Sequence, residues 1–341
     1  MPAQTSTSPV GIGVIGAGRI GASHATLLSR QVPGARLVTV ADTRPDAAQA
    51  LADRLGCRAA ASPDELLADP EVDGVVIAAS TVAHADLVVA AARAGKAVFC
   101  EKPMGMSVAE VDRAVAAAQA ARVPLQVGFN RRYARDFAEA HQLVVEGAVG
   151  MPQLMRSVTR DPGPWLADPA AVPAGTIFTQ TLIHDFDTLL WLNPGAEPVS
   201  VYATADALVA PDHKDGGLLD TAVVVITFDS GAIAVAEASF SAAYGYDVRA
   251  EVFGSSGMVT MGEGATSSLR LHDATGRHAA TARSDTDLLV DAYVGELAAF
   301  ATCVRDGSSP SVTGTDARRA LRVALAANES ARTGSAVRLD R

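Results

Sequence analysis

Gly16-Ala17-Gly18-Arg19-Ile20-Gly21 spells a GxGxxG turn, and Asp42 stands 26 residues beyond its first glycine. The string alone is weak, but an apolar run precedes it and a helical pattern follows. In that setting Gly16 permits a tight turn, Gly18 lets a diphosphate approach the backbone, and Gly21 lets helix and strand pack closely. The helix N-terminus, with Arg19 and Ile20 in its first turn, then faces the diphosphate. A carboxylate at the end of the next strand accepts hydrogen bonds from ribose hydroxyls and repels a 2′-phosphate, so Asp42 favours NAD over NADP. Arg44 opposes that preference, because it can contact a 2′-phosphate.

These residues need a scaffold that ends strands at one edge. The apolar runs 10–16, 35–42, 72–79, 96–101 and 123–129 alternate with helical patterns at 46–55, 82–94 and 107–122. Near-continuous apolar strands separated by helices predict a parallel sheet covered on both faces. Ser107 followed by Glu110 matches a capping box at the start of the third helix. After about residue 150 the pattern changes. A helical segment near 177–192 precedes strand-like stretches at 198–209, 221–228, 231–240, 246–254 and 257–261. The turns Asp229-Ser230-Gly231 and Gly254-Ser255-Ser256-Gly257 suit hairpins in an antiparallel sheet. Helical patterns return at 288–306 and 316–332, and 161–175, with four prolines, reads as an irregular loop. The expected fold is a doubly wound α/β Rossmann domain over 1–130, then an α+β domain over 131–341 with a large, mostly antiparallel open sheet. The C-terminal helices have the option of packing back on the first domain.

Composition narrows the partners. The 341 residues include 38 acidic and 28 basic side chains, a formal net charge of -10. No Lys/Arg cluster offsets the repulsion of a phosphate backbone, which argues against nucleic acid. Three widely spaced cysteines, Cys57, Cys100 and Cys303, give no CxxC pair or metal-ligand spacing, so no metal is expected. The first ten residues lack the basic and apolar regions of a signal peptide. No apolar run reaches the ~18 residues that span a bilayer. A cytoplasmic protein with no membrane partner is the expectation.

Several segments together resemble the glucose–fructose oxidoreductase/inositol dehydrogenase (Gfo/Idh/MocA) family. They are the GxGxxG start, Ser80-Thr81 followed by His84-Ala85, Glu101-Lys102-Pro103, Gly128-Phe129-Asn130-Arg131-Arg132-Tyr133, and Ile183-His184-Asp185-Phe186-Asp187. The resemblance implies a nicotinamide-dependent oxidoreductase acting on CH–OH groups. It implies that Ser80, Thr81, His84, Glu101 and Lys102 line the cofactor site with the glycine turn. Lys102, at a strand end, would hold the substrate hydroxyl and stabilise alkoxide as hydride leaves. His184 would be the general base, since its unperturbed pKa lies near working pH. Arg131, Arg132, Asp161 and Trp165 are candidates for orienting the substrate ring.

One position departs from the family pattern. Inositol dehydrogenases of this family carry an aspartate four residues before the catalytic histidine, and here that residue is Gln180. Glutamine can hydrogen-bond a polyol but supplies no charge to an imidazolium. Asp187, three residues beyond His184, is a compensating candidate with a solvent-facing or structural role as the simpler reading. The resulting expectation is an NAD-dependent dehydrogenase for a secondary alcohol of a cyclic polyol, sugar or sugar derivative. The rivals are a redox-assisted glycoside hydrolase or lyase and a non-catalytic nucleotide sensor. A homo-oligomer, dimer or tetramer, would cover the open sheet.

Overall fold

A computed structural model describes residues 8–163, 168–262 and 265–340. The chain divides into two compact units. One takes the chain up to Tyr133 together with Asp291–Arg318; the other takes Ala134–Val290 with Arg319–Arg341. The chain changes unit after Tyr133, Val290 and Arg318.

The first unit holds six parallel strands, β1 (Val10–Ile15), β2 (Ala35–Ala41), β3 (Arg58–Ala59), β4 (Gly74–Ile77), β5 (Ala97–Cys100) and β6 (Leu125–Val127). Their order is β3-β2-β1-β4-β5-β6. The order reverses between β1 and β4, so a crevice opens there at the strand C-termini. The connecting helices are α1 (Arg19–Arg30), α2 (Pro45–Leu55), α3 (Pro63–Ala68), α4 (Thr81–Arg93) and α5 (Val108–Ala121). Every residue of β1, β4 and β5 is buried, which is why these strands read as unbroken apolar runs rather than alternations. Each such Val or Ile contributes about 1.5–3 kcal/mol by leaving water. The capping box at Ser107 and Glu110 forms with both hydrogen bonds. Cys100 is buried in β5 and Cys303 in the helix Val290–Asp306, while Cys57 is half-buried, and all three are free thiols. That helix packs on this sheet through Phe300, whose ring meets Phe99 edge-on at 5.9 Å.

The second unit begins with α6 (Arg135–Val145) and β7 (Pro152–Arg160). A π-turn, Ile177–Thr181, leads into α7 (Ile183–Trp191). Then follow β8 (Pro198–Asp206), β9 (Thr221–Phe228), β10 (Ile233–Ser239), β11 (Asp247–Gly254) and β12 (Met258–Met261). A separate hairpin, β13 (Ala265–Asp273) and β14 (Gly276–Thr281), precedes β15 (Val337–Arg338). The large sheet runs β12-β11-β7-β10-β9-β8-β15. Its pairs are antiparallel except β7 with β10. Gly231, at φ +89°, makes the turn from β9 to β10, and Gly254 N–H donates to Gly257 O in the β11–β12 turn.

The central strand β7 is absent from the strands the sequence pattern predicts. Its inner face carries Ser157 and Thr159 beside the buried Met155, and both hydroxyls donate to the buried Asp185 of α7, at 2.5 and 2.7 Å. Hydrogen bonding there replaces apolar burial, so the usual period-2 signal is missing. Among the described residues, no helix is long and apolar enough to cross a membrane.

Candidate active site

In the first unit the glycine turn, Asp42 and the N-termini of α1 and α4 border one cleft of about 510 Å³. Gly16 has φ +110°, and a Cβ there would sit 2.4 Å from Ala78 O. A Cβ on Gly21 would sit 2.0 Å from Gly16 O, so α1 could not seat against the turn. Gly18 differs: a Cβ there would meet no protein atom within 4 Å. The space beyond Gly18 is open, and Gly18, the N-cap of α1, makes no side-chain cap bond. An uncapped N-terminus over open space fits a diphosphate.

Asp42 follows β2 and points back at this turn. Ala17 N–H donates to its Oδ2 at 2.6 Å and Arg44 N–H to its Oδ1 at 2.8 Å. Burial alone would raise its pKa, but those two amides and the Arg44 charge outweigh it and hold the carboxyl below the usual value. Asp42 is therefore ionised at neutral pH, with lone pairs left for ribose hydroxyls. The Arg44 side chain, 70% exposed, lies 3.5 Å from Asp42 Oδ1. Arg19, Ile20 and Ser80 line the same cleft, as do Thr43, Pro63 and Leu87, which the motif reading does not name. Thr81 opens α4.

Lys102 follows β5, and its peptide bond to Pro103 is cis. Neighbours hold this turn from two sides. Lys102 N–H donates to Glu101 Oε2 at 3.1 Å. His84 is 2% exposed, with Nδ1 2.8 Å from Pro103 O and Nε2 3.0 Å from Ala79 O. The structure thus places His84 as a strap between α4 and the lysine turn, its ring nitrogens turned to backbone carbonyls. Glu101 also points inward: its Oε1 lies 2.7 Å from His24 Nε2. Burial raises its pKa, but the His24 hydrogen bond and charge and the Lys102 charge leave the carboxyl below the usual glutamate value. A Cβ on Gly128 would crowd Phe99 and the Glu101 carboxyl, at 3.1 and 3.2 Å.

The two arginines separate. Arg132 pairs with Asp316 at 3.0 Å, tying the turn after β6 to the start of the helix Gly314–Thr333. Arg131 is 3% exposed.

In the second unit the expected continuous helix over 177–192 breaks at Leu182. Leu182 N–H reaches back five residues to Ile177 O at 2.8 Å, the hydrogen bond of a π-turn, and such turns recur at functional sites. From Ile177 to Leu190 every residue is buried except Gln180 and His184, which are half-buried. These two are the half-buried polar side chains of the segment. Asp185, beside His184, anchors α7 to β7. Asp187 is 1% exposed, so the solvent-facing alternative for it does not hold. Asp161, just past β7, is 4% exposed. Trp165 lies outside the described residues.

His24 and Glu296 escape a motif search. Each is a polar residue in the apolar stripe of a helix, and that break in pattern was the available signal. One donor atom from each of His24, Glu101 and Glu296 falls in a group spanning at most 4.8 Å.

Comparison with known proteins extends to both units. Residues 10–129 match the oxidoreductase family model with an NAD-binding Rossmann fold, and residues 137–260 match the GFO/IDH/MocA C-terminal domain. The chain is 39% identical over 331 residues to myo-inositol 2-dehydrogenase of Thermotoga maritima, covering 96% of this chain and 98% of that protein. It is 38% identical over 337 residues to scyllo-inositol 2-dehydrogenase (NAD(+)) of Bacillus subtilis, covering 96% and 95%. The crystal structure of scyllo-inositol dehydrogenase from Lactobacillus casei with bound NAD(H) and scyllo-inositol superposes with a TM-score of 0.93 at 26% identity, covering 97% and 99%. With both domain models matched in order and similarity running nearly end to end, this chain belongs to the GFO/IDH/MocA oxidoreductase family.

Proposed function

We propose that this protein oxidises a secondary alcohol of a cyclic polyol, an inositol or a close relative, using NAD⁺. The observation that carries the cofactor half is the cleft itself. An ionised Asp42 and the uncapped α1 N-terminus border one space, which suits a ribose next to a diphosphate. The polyol half rests on the inositol dehydrogenases to which the chain is similar over nearly its whole length.

Gly16, Gly18, Arg19 and Ile20 would hold the diphosphate, Asp42 the adenosine ribose, and Ser80 and Thr81 the far wall. When bound, NAD⁺ accepts the hydride. Lys102 holds the reacting oxygen and stabilises the negative charge that grows on it. His184 takes the hydroxyl proton, and Gln180 beside it orients the ring through an amide that both donates and accepts. Arg131 and Asp161 are further candidates for ring contacts. Arg132 is committed to Asp316 and Glu101 to His24 and the Lys102 amide, so both act as supports. The test is NADH absorbance with purified protein, NAD⁺ and a panel of cyclic polyols and sugars. Turnover of an inositol supports the reading. NADH binding with no polyol oxidised would favour a nucleotide sensor, and bond cleavage without net NADH would favour a hydrolase or lyase.

A homo-oligomer, dimer or tetramer, is part of this proposal. The outer face of the large sheet exposes a row of Ile233, Leu154, Phe253 and Met258, each 43–58% exposed and on neighbouring strands. An apolar row of that kind suits a second copy of the sheet. Sedimentation of wild type and Phe253→Glu checks it, with the variant expected to shift toward smaller species.

A further inference from the structure

Two helices of the first unit carry an acid–base residue where their apolar stripes meet the core. α1 buries Gly21, His24, Ala25 and Leu28, and the helix Val290–Asp306 buries Tyr293, Glu296, Leu297 and Phe300. His24 and Glu296 are 0% exposed and Glu101 8%. The rings of Phe99 and Tyr293 stand edge-on to His24 at 5.5 and 5.6 Å. In this apolar setting His24 and the Lys102 amide both engage Glu101. Among the described residues, neither carboxyl oxygen of Glu296 has a hydrogen-bond partner, although its backbone carbonyl accepts from Gln126 Nε2 at 2.8 Å.

An ionised Glu296 would lack donors in the core and would face a second carboxylate in the same group of atoms, no more than 4.8 Å wide. Desolvation and like-charge repulsion both oppose that state, and a proton on Glu296 removes both. A zinc ion fits the group less well. Two donors on a tetrahedral zinc with legs of about 2.0–2.1 Å sit about 3.3 Å apart, whereas His24 Nε2 and Glu101 Oε1 are 2.7 Å apart, a hydrogen bond.

We propose that Glu296 is a positioning residue: held as a neutral carboxylic acid beside the Glu101 carboxylate, it keeps Glu101 fixed on the Lys102 turn. This rests on the polyol dehydrogenase reading for its catalytic consequence, though the protonation state does not. Burial and the Glu101 charge push Glu296 well above the glutamate range, while Glu101 stays below it. Two carboxyls driven apart in this way have distinct jobs. The other titratable groups around the pair are His24 from α1, His84 from α4, Cys100 from β5, Lys102 from the turn after β5, and Tyr133 from the turn after β6. Glu296 acts through Glu101 and through the amide that Glu101 accepts, and is not itself assigned to substrate.

Glu296→Gln tests the protonation state, because an amide keeps the shape and stays neutral at every pH. A raised folded-state pKa means that the stability tied to the bound proton is complete below the ordinary glutamate value of 4.5. It is lost as pH rises from there through the folded-state pKa. Across that window wild type should lose folding constant relative to Glu296→Gln by up to about tenfold per pH unit. Melting temperature measured against pH reads this directly, and a pH-independent difference between the two proteins would overturn the proposal. Infrared difference spectra at neutral pH should show a protonated-carboxyl C=O band in wild type that Glu296→Gln lacks; its absence from wild type would also overturn it. Zinc alone, added to both proteins, should not raise the melting temperature of wild type over the variant, and a rise specific to wild type would replace the proton with a metal. In kinetics on a polyol that is turned over, Glu296→Ala should lower kcat about tenfold through displacement of the lysine turn. Glu296→Gln should restore it, and NADH affinity should stay unchanged in both. Wild-type kcat in Glu296→Ala would refute the positioning role. If no polyol is oxidised at all, the functional reading fails while the melting and infrared results still decide the protonation state.

Discussion

The first unit presents its chemistry from strand ends, and the second presents it from a helical segment laid on a sheet. Asp42 and Lys102 each stand just past a parallel strand, β2 and β5, where the backbone must turn, and Asp42 lines the cleft. Gln180 and His184 instead emerge from a segment otherwise buried, on either side of a π-to-α break. Strand-end positions are held by backbone: two amides on Asp42 and a carboxylate against the Lys102 amide. The helical positions are held by side chains, with Asp185 pinned by two hydroxyls of β7. Substitution at a strand end should therefore change chemistry with little loss of fold. Substitution around His184 should mix the two.

The largest effect belongs to Lys102. Lys102→Ala should lower kcat by roughly 10²-fold or more with NADH binding nearly intact, since one lost oxyanion contact costs that much. Single-turnover kinetics with NADH titration check it, and an unchanged kcat would remove lysine from the chemistry. On the other side, Asp185→Ala should cost about 2–4 kcal/mol of stability, because it strands two buried hydroxyls. Urea denaturation measures that, and a loss under about 0.5 kcal/mol would show that α7 is held by packing alone. Asp42→Ala should narrow the preference for NAD⁺ over NADP⁺, by about tenfold if one charge repulsion of about 1.4 kcal/mol is lost. A wild-type preference for NADP⁺ would instead give the adenosine pocket to Arg44. The smallest effect is a shift in a pH profile. Gln180→Asp should raise the acid-limb pKa of kcat/KM, because a carboxylate favours the imidazolium of His184. An unmoved limb would mean that residue 180 does not face the base.

The same contrast explains what could be read without coordinates. The Rossmann half was legible because its glycine turn, unbroken apolar strands and capping box are local signals, each fixed by a few neighbouring residues. Lys102 and His184 were singled out by resemblance, not by spacing. β7 was not, since Ser157 and Thr159 take the place of core residues and their partner, Asp185, lies 26 to 28 residues away. The hairpin of β13 and β14 also escaped prediction; the described part of β14 is wholly exposed and lacks a buried face to set a period. The break at Leu182 had no signal, because a π-turn keeps the composition of a helix. His24 and Glu296 were visible as acid–base residues inside apolar stripes, but their pairing crosses long sequence separations and needed the fold.

Hydride transfer itself can be followed with an inositol deuterated at every ring carbon, incubated with the protein and NAD⁺. Proton NMR of the recovered cofactor should show one deuterium at C4 of the nicotinamide in NADH, matched mole for mole by a ring ketone. Reduced cofactor without deuterium, or a cleaved substrate with no reduced cofactor formed, would contradict a dehydrogenase.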